Sequence, residues 1–324
     1  MRAIIPVAGV GSRLRPHTYT LPKVLLNVAG KPILGHILDT LVEEGITSVT
    51  FIVGYMGDLV EQFVSEQYDL QANFVVQESR EGLGHAIWLA RKDLGDEPVL
   101  IILGDTIFDV DLGPVLASES SALGVRYVDD PRRFGVVETD GARVVRLVEK
   151  PENPTTNLAI VGLYFIHNPK LLGRALDELV ENDERTRGEF QLTDALQKMI
   201  DQGEPFTTFP VEGWFDCGKP ETLLETNRHL LSRSIHVAER SGVLINPPAY
   251  IAESATVSNS VIGPYATIAD GASVSNAIIS DSIIGERAEV EGVLLKESIV
   301  GPDARVNGEA RVINIGASSE LSIG

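Results

Sequence analysis

Two glycines and two arginines follow an apolar run near the start of the chain, in the segment VAGVGSRLRP at residues 7–16. The run over residues 3–8 predicts a short buried strand, which Gly9 ends. A glycine-rich turn after a strand lets backbone N–H groups approach a ligand, and phosphate is a common ligand of such turns. Similar turns end many strands that bind nothing, so this segment alone leaves both interpretations open.

Alternating strand and helix patterns extend from this segment to about residue 235. Apolar stretches predict strands over residues 48–55, 72–77 and 98–105. Between them, apolar residues recur at helical spacing: Ile33, Leu34, Ile37, Leu38, Leu41, Val42, Leu59, Val60, Phe63, Ala86, Ile87 and Leu89. The alternation predicts a Rossmann-like α/β fold, with a mostly parallel sheet and helices on both faces. Ligands bind such sheets over the carboxyl ends of the strands, where residues 9–15, 77–84 and 104–105 lie.

A short sequence repeat begins at about residue 240, where the segments NSVIGPYATI, DSIIGERAEV and ESIVGPDARV are nearly identical in pattern. Apolar residues separated by five or six positions run through it: Ile251, Val257, Ile262, Ile268, Val274, Ile279, Ile284, Val290, Leu295, Val300 and Val306. This repeat, with small residues between, predicts a parallel β-helix whose apolar side chains stack one coil upon another. We therefore predict two domains, residues 1–238 and 239–324.

Composition excludes several classes of protein. With a net charge of -19, the 324-residue chain should repel nucleic acid and anionic membranes, and no apolar run approaches membrane-spanning length. Cys217 is the only cysteine, which excludes an intramolecular disulfide and a cysteine-built metal site. The first residues run directly into a strand, so we expect no cleavable signal and a cytoplasmic protein. An anionic substrate would need a local cluster of positive charge or a metal ion.

Three segments together carry a family resemblance: GVGSRLRP at 9–16, LPKVLL at 21–26 and AGKP at 29–32. They resemble the sugar-1-phosphate nucleotidylyltransferases, which join a nucleoside triphosphate to a sugar 1-phosphate and release pyrophosphate. The resemblance covers residues 1 to about 235, and longer members of the family often carry a left-handed β-helix like the one predicted here. It implies that residues 1–238 form the catalytic domain.

In this family the first loop binds the triphosphate. The resemblance implies nucleotide-binding residues Ala8, Gly9, Gly11, Ser12, Arg13, Lys23, Gln77, Gly82 and Asp105. Gly9 and Gly11 would bring backbone N–H groups to phosphate oxygens, while Arg13 and Lys23 supply positive charge to the departing pyrophosphate. Gln77 and Gly82 match the positions that read a pyrimidine base, and a glutamine amide offers the donor and the acceptor that uracil or thymine requires.

Two aspartates match the family's magnesium ligands. Asp105 ends the predicted strand in VLIILGDT, and Asp216 follows an aromatic pair in EGWFDCGKPE. The resemblance implies that they hold Mg²⁺ between the α-phosphate and the sugar phosphate, and two carboxylates with substrate oxygens suit this hard cation. A lone aspartate at a strand end is more often a helix cap.

The acceptor site is implied by the segment RLVEKPENPTTNLAIVGLYF. The resemblance assigns sugar-phosphate binding to Gly135, Glu149, Lys150, Asn157 and Tyr164, and it allows Arg187 to reach the phosphates as well. Glu149 suits sugar hydroxyls, and Lys150 suits the phosphate. Elsewhere, an adjacent Glu-Lys pair is usually exposed surface charge. The implied catalytic set is Arg13, Lys23, Asp105, Lys150 and Asp216.

The base and the acceptor sugar stay open. The short first loop and the segment GLGHA resemble uridylyl-transferring members, whereas the lysine segment and the β-helix resemble long thymidylyl-transferring members. One methyl group decides only about 1 kcal/mol, so UTP and dTTP are both candidates. Glucose 1-phosphate is the acceptor we expect from the resemblance.

Two other functions are compatible with this fold: a bifunctional enzyme with a second activity in the β-helix, and a non-catalytic regulatory subunit. A bifunctional enzyme with an acyltransferase β-helix would generally need a histidine base, and the last histidine, His236, precedes the repeats. We therefore assign the repeats to homo-oligomerisation or regulation. A non-catalytic regulatory subunit would be expected to lack some of the five implied catalytic residues, and all five are present.

Overall fold

The computed structural model describes residues 1–233 and 240–308. The chain divides into two compact units, which are described separately. The first comprises residues 1–26 and 31–226, and the second comprises residues 27–30 and 227–324. The predicted domain boundary between residues 238 and 239 lies outside the described residues.

The strands up to residue 216 are short and alternate with helices. They are β1 (Arg2–Pro6), β2 (Asn27–Val28), β3 (Lys31–Pro32), β4 (Ser48–Val53), β5 (Gln71–Val76), β6 (Val99–Ile102), β7 (Thr106–Asp109), β8 (Ser121–Tyr127), β9 (Gly135–Asp140), β10 (Arg143–Glu149), β11 (Leu158–Ile166), β12 (Phe206–Pro210) and β13 (Gly213–Asp216). The helices are α1 (Ile33–Glu43), α2 (Gly57–Gln67), α3 (Leu83–Leu89), α4 (Gly113–Leu116), α5 (Pro169–Glu181), α6 (Leu192–Asp201) and α7 (Pro220–Arg233). Short 3₁₀ turns cover Ser12–Leu14, His17–Tyr19, Lys23–Leu25, Arg91–Asp93 and Pro131–Arg133.

Nine strands of the first unit form one sheet in the order β10-β9-β11-β6-β1-β4-β5, with β8 beside β11 and β12 beside β8. Pairing is parallel between β6, β1, β4 and β5, as the alternation of strands and helices predicts. The central β11 is antiparallel to β6, β8 and β9, a feature that the alternation does not reveal. The predicted α/β class with a mostly parallel sheet is confirmed.

Buried aliphatic and aromatic side chains hold this sheet. The first helical pattern lies on α1, where Ile33, Leu34, Ile37, Leu38 and Leu41 are all buried. Phe51, Phe165 and Phe206 are among the largest fully buried side chains. Because these residues occupy β4, β11 and β12, the buried core extends across the sheet.

The second unit contains a three-sided coil of short strands. They are β14 (Val243–Ile245), β15 (Ala249–Ile251), β16 (Thr256–Ser258), β17 (Ser260–Ile262), β18 (Ala266–Ile268), β19 (Ser273–Ser275), β20 (Ile278–Ser280), β21 (Ile283–Ile284), β22 (Glu289–Glu291), β23 (Leu294–Lys296), β24 (Ile299–Val300) and β25 (Arg305–Asn307). They form three parallel sheets: a first sheet β14-β17-β20-β23, a second sheet β15-β18-β21-β24 and a third sheet β16-β19-β22-β25. This is the arrangement of a parallel β-helix, and it is consistent with the left-handed form.

Every apolar residue of the predicted repeat lies on one of three interior ladders, one for each sheet. The ladders are Ile245-Ile262-Ile279-Leu295, Ile251-Ile268-Ile284-Val300 and Val257-Val274-Val290-Val306. Each side chain packs on its equivalent one coil away, which is why the sequence must repeat. Within residues 1–233 and 240–308, no helix has the length and apolarity needed to cross a bilayer.

Candidate active site

The two predicted metal ligands meet at a short antiparallel ladder. Asp105 lies in the turn between β6 and β7, and Asp216 ends β13. Strand β13 pairs with β7 so that Asp216 faces Thr106, and the backbone N–H of Cys217 donates to the carbonyl oxygen of Asp105 at 3.1 Å. This ladder therefore joins two carboxylates that lie far apart in the sequence.

Lys23 lies between these carboxylates. Its ammonium Nζ is 2.6 Å from Asp105 Oδ2 and 3.7 Å from Asp216 Oδ1. Its side chain is only 7% exposed, so its charge is largely withdrawn from water and balanced by the two aspartates. The structure thus brings together three of the five residues of the implied catalytic set.

The glycine loop leads directly into the 3₁₀ turn Ser12–Leu14. Gly11 has φ +61°, a left-handed conformation that favours glycine. A Cβ there would also lie only 3.0 Å from side-chain atoms of Lys23 and Thr18, so the packing favours glycine as well. A Cβ at Gly218 would approach the guanidinium of Arg13 and both carboxylate oxygens of Asp216 within 2.9 Å. The guanidinium of Arg13 therefore lies near Asp216, and its role in phosphate binding stays a prediction.

A cavity of about 270 Å³ lies beside this loop. Its lining includes Ala8, Gly9, Gln77 and Gly82, four of the predicted nucleotide-binding residues. Ser12 is exposed and is not among the residues that line it. Arg80 also lines the cavity, and sequence reasoning missed it, although its position three residues after Gln77 in the same segment was an available signal.

Gly82 accepts a conformation that other residues rarely adopt. Its φ is +108°, and a side chain there would overlap the carbonyl oxygen of Phe190. Gln77 is buried, and its Nε2 lies 3.4 Å from the carbonyl oxygen of Gly82. The loop between them is tied to the segment before α6, because the N–H of Phe190 donates to the carbonyl oxygen of Glu81 at 2.7 Å.

A second, larger cavity of about 550 Å³ holds the predicted acceptor residues. Its lining includes Asp105, Gly135, Glu149, Lys150, Tyr164 and Asp216. Leu83 and Glu189 line both cavities, so the two spaces adjoin. The structure brings the predicted phosphate and sugar residues to neighbouring spaces of one site.

Glu149 is positioned from two sides in this cavity. The hydroxyl of Thr193 donates to Glu149 Oε2 at 2.7 Å, and Lys150 Nζ is 3.2 Å from Glu149 Oε1. The buried hydroxyl of Tyr164 has a raised pKa because of desolvation and the nearby charge of Glu149, so it remains a neutral donor. Thr193 is a further residue that sequence reasoning missed.

Lys150 has a left-handed backbone, with φ +43°, that its neighbours hold in place. Its N–H donates to the carbonyl oxygen of Phe134 at 3.0 Å, and its carbonyl oxygen accepts from the guanidinium of Arg187 at 2.8 Å. Arg187 thus contacts the backbone of Lys150. Its predicted reach to the phosphates remains a prediction.

Asn157 lies away from these contacts. It immediately precedes β11, is exposed and is not among the residues that line the larger cavity. Its side-chain amide is 3.5 Å from the carbonyl oxygen of Asp129. By contrast, Phe134 and Trp214 do line the cavity and contact edge to face, with ring centroids 4.9 Å apart.

Among residues 1–233 and 240–308, no three histidine, cysteine or acidic side chains are grouped so that they could hold a metal by themselves. Asp105 and Asp216 are a pair, and their carboxylates already share one cation, the ammonium of Lys23. Mg²⁺ is commonly held by one or two carboxylates with substrate phosphates and water. This donor set therefore fits Mg²⁺ bound together with a phosphate ligand.

Comparison with known proteins identifies the family of this chain. The model of the nucleotidyl transferase family matches residues 2–233. The chain is 35% identical over 241 residues to Low-salt glycan biosynthesis nucleotidyltransferase Agl11 of Haloferax volcanii, over 71% of this chain and 66% of that protein. It is 34% identical over 275 residues to a glucose-1-phosphate thymidylyltransferase of Streptomyces antibioticus, over 80% of this chain and 75% of that protein.

A solved structure is also similar. It is a candidate glucose-1-phosphate thymidylyltransferase of Bacillus anthracis in complex with a sucrose, with a TM-score of 0.62 and 29% identity. The match covers 74% of this chain and 98% of that one. The present chain thus spans nearly all of this structure and just under two thirds of the Haloferax relative.

Proposed function

This chain belongs to the nucleotidyl transferase family, and from that membership we propose that it transfers a nucleotidyl group from UTP or dTTP to a sugar 1-phosphate. The products are a nucleoside-diphosphate sugar and pyrophosphate. The observation that carries the proposal is a pair of adjoining cavities, the larger of which is lined by Asp105 and Asp216, the two carboxylates that contact the ammonium of Lys23. Two anionic substrates can lie side by side there with fixed cations close to both.

The nucleotide occupies the smaller cavity in this proposal. Its triphosphate lies along the loop from Ala8 to Ser12, where Gly9 leaves open space for phosphate oxygens. Gln77 and Gly82 read the pyrimidine edge, and the exposed guanidinium of Arg80 adds positive charge at the rim. The methyl group that separates dTTP from UTP contributes only about 1 kcal/mol, so both nucleotides are proposed.

The acceptor occupies the larger cavity. Glu149 accepts hydrogen bonds from sugar hydroxyls, and Gly135 lets the sugar approach the backbone. Tyr164 lines the same cavity. Lys150 binds the sugar phosphate, whereas Asn157, which does not line this cavity, is left out of the proposed acceptor contacts. We propose glucose 1-phosphate as the acceptor, because the similar Streptomyces protein is named for it.

The reaction is an in-line displacement. An oxygen of the sugar phosphate forms a bond to the α-phosphorus, and the bond from this phosphorus to the bridging oxygen of the β-phosphate breaks. The bridging oxygen keeps the electron pair and leaves with pyrophosphate. Because the attacking oxygen is already ionised, no base needs to remove a proton and no covalent enzyme intermediate is required.

The residues of this chain lower the barrier by position and charge. Lys150 offsets repulsion as the two anions approach, and Arg13 with Lys23 stabilises the negative charge of the leaving pyrophosphate. Asp105 and Asp216 would hold Mg²⁺, which when bound neutralises phosphate charge and orients the two substrates. The negative charge of the aspartates keeps the ammonium of Lys23 in place until substrates arrive.

Residues 239–324 serve assembly or regulation in this proposal, and residues 1–238 carry catalysis. Truncation after residue 238 should preserve measurable transfer while changing the number of chains in the oligomer. An unchanged number of chains would contradict the assembly role.

Pyrophosphate release tests the proposed reaction. It should be measured over a grid of nucleoside triphosphates against sugar 1-phosphates, with and without Mg²⁺. We expect release with UTP or dTTP and glucose 1-phosphate, dependent on Mg²⁺ and reversed by added pyrophosphate. Release with purine nucleotides alone would contradict the base assignment, and silence over the whole grid would contradict catalysis.

A further inference from the structure

His85 is a largely buried side chain that the proposed reaction does not use. It lies on α3, eight residues after Gln77, and its side chain is only 12% exposed. Its ring stacks with those of Trp88 and Phe190, at centroid distances of 5.6 and 6.2 Å. A phenyl ring could make the same stacking contacts without burying ring nitrogens, so packing alone does not explain an imidazole here.

The side-chain amide of Gln77 contacts two groups of the segment that follows it. Its nitrogen Nε2 is 3.4 Å from the carbonyl oxygen of Gly82 and 3.4 Å from Nδ1 of His85. Because a carbonyl oxygen can only accept hydrogen bonds, the amide turns its NH₂ group toward Gly82 and its oxygen away. The second hydrogen of that NH₂ group then faces Nδ1, which accepts it as the unprotonated nitrogen of a neutral imidazole.

The other ring nitrogen of His85 is placed to keep the proton. It is 4.0 Å from Oε1 of Glu81. The second oxygen of this carboxylate accepts from the guanidinium of Arg185 at 2.6 Å, and that hydrogen bond lowers the pKa of Glu81, so the carboxylate stays ionised. An anion on this side of the imidazole favours a hydrogen on Nε2, and it therefore favours an Nδ1 that accepts.

This orientation leaves the amide oxygen of Gln77 for a ligand. Gln77 lines the smaller cavity, and its Oε1 accepts no hydrogen bond from any residue within 1–233 and 240–308. Uracil and thymine carry a hydrogen on ring nitrogen N3, which can donate to this oxygen. Cytosine has a lone pair on the same nitrogen, so cytosine would bring two acceptors together.

We propose that His85 is a positioning residue, which holds the amide of Gln77 with its oxygen toward the base and so makes the site accept uracil or thymine and reject cytosine. The inference rests on the base-reading role proposed above for Gln77, and it adds the group that sets the direction of that hydrogen bond. An amide that turned over would present its NH₂ group to the cavity and would suit the lone pair of cytosine. Without Nδ1, only the carbonyl oxygen of Gly82 opposes that turn.

Two variants separate hydrogen bonding from packing. His85→Phe keeps an aromatic ring beside Trp88 and Phe190 but has no acceptor. His85→Asn loses the ring but offers an amide oxygen near the place of Nδ1. Calorimetric titration of each full-length chain with UTP and with CTP, in Mg²⁺ and without sugar 1-phosphate, gives the ratio of the two dissociation constants. Both nucleotides carry the same ribose and triphosphate, so this ratio reports the base contact.

We expect the parent chain to bind UTP at least roughly tenfold more tightly than CTP, because CTP leaves two acceptors facing each other. His85→Phe should reduce this preference by about fivefold, the effect of one neutral hydrogen bond, and His85→Asn should keep it near the parental value. A role in packing alone predicts the reverse order. A parent chain without the preference, or an asparagine variant that discriminates no better than the phenylalanine variant, would overturn the proposal.

The tautomer of His85 can be measured without any nucleotide. Long-range proton–nitrogen NMR spectra of the chain labelled with ¹⁵N-histidine should show this ring protonated on Nε2 alone at neutral pH, its signal being the one that either variant lacks. A hydrogen on Nδ1 would overturn the proposal, and this result stands even if a variant binds nucleotide poorly because it is misfolded. Neither measurement requires transfer, so a silent transfer assay with an intact preference for UTP would contradict the proposed reaction while supporting this inference.

Discussion

The two units use long-range contacts in opposite ways. In the first, the contact between Lys23 and Asp105 joins residues 82 positions apart, and the one between Thr193 and Glu149 spans 44. In the second, Arg287 pairs with Asp303 and Arg305 with Glu289, each 16 positions apart. The first unit thus gathers different residues at one place, whereas the second repeats one contact along its length.

This difference determines how each unit should respond to substitution. A site assembled once loses its chemistry when one member is changed, although the fold around it survives. In a β-helix every coil makes similar contacts with its neighbours, so each coil contributes a similar increment to the free energy of unfolding. The following predictions test that contrast, beginning with the largest effect.

Asp105→Asn should lower turnover by roughly 100- to 1,000-fold, because a neutral amide binds Mg²⁺ weakly and no longer balances the ammonium of Lys23. Steady-state pyrophosphate release measures the loss. Asp111→Asn, an exposed aspartate beyond β7, is the matched control and should keep parental turnover. If the Asp105 variant retained full, Mg²⁺-dependent activity, the metal assignment would be wrong.

Ile279→Ala should destabilise the β-helix by about 2–5 kcal/mol, because it truncates a fully buried side chain of an interior ladder. Hydrogen exchange read by mass spectrometry should show lost protection in residues 240–308, with little change in the first unit. Ile4→Ala, equally buried but in β1, should give the reverse pattern. Equal loss in both units from either variant would mean that the two unfold together.

Arg187→Ala should raise KM for the sugar 1-phosphate by about tenfold, with a smaller change in kcat. The guanidinium holds the carbonyl oxygen of Lys150, and hydrogen bonds to charged groups contribute about 1.5–3 kcal/mol. Initial rates at varied acceptor concentration separate the two constants. Arg174→Ala removes an exposed arginine from α5 and serves as control. An unchanged KM would show that Lys150 keeps its conformation without this contact.

Cys217 should be inert to thiol reagents at pH 8 in the folded chain. Burial raises the pKa of its thiol to about 12, so the reactive thiolate is scarce well below that pH. Denaturant should expose one reactive thiol per chain, since this is the only cysteine. The rate of labelling with a coloured disulfide reagent would then report opening of the first unit alone. Rapid labelling of the native chain would contradict the burial.

Much of the fold could be predicted because its signals are local or periodic. The apolar positions of α1 repeat every three to four residues, and those of the β-helix every five or six, so each pattern reveals its own structure. The antiparallel insertion of β11 beside β6 has no such signal, because strand partners are chosen by packing across the whole sheet.

The candidate site shows the same limit. Gly9, Lys23, Asp105 and Asp216 could be predicted as site residues because they lie in short motifs that resemble those of the family. Arg80 and Thr193 line the cavities without a motif of their own, and the exposed Asn157 shows that a matched position does not by itself place a side chain against a cavity. Whether a side chain such as that of Arg80 or Thr193 lines a cavity depends on the course of the backbone in the folded chain. A short segment of sequence does not determine that course.

By itself, the sequence predicted two kinds of structure, an α/β sheet with phosphate-binding motifs and a repetitive coil. These predictions were possible because motifs and spacing can be read from neighbouring residues. Only the tertiary structure decided that Lys23 lies between two aspartates, that Arg187 contacts the backbone of Lys150, and that Leu244, Ile278 and Leu294 of the coil are exposed. These facts join residues distant along the chain, and only packing brings such residues together.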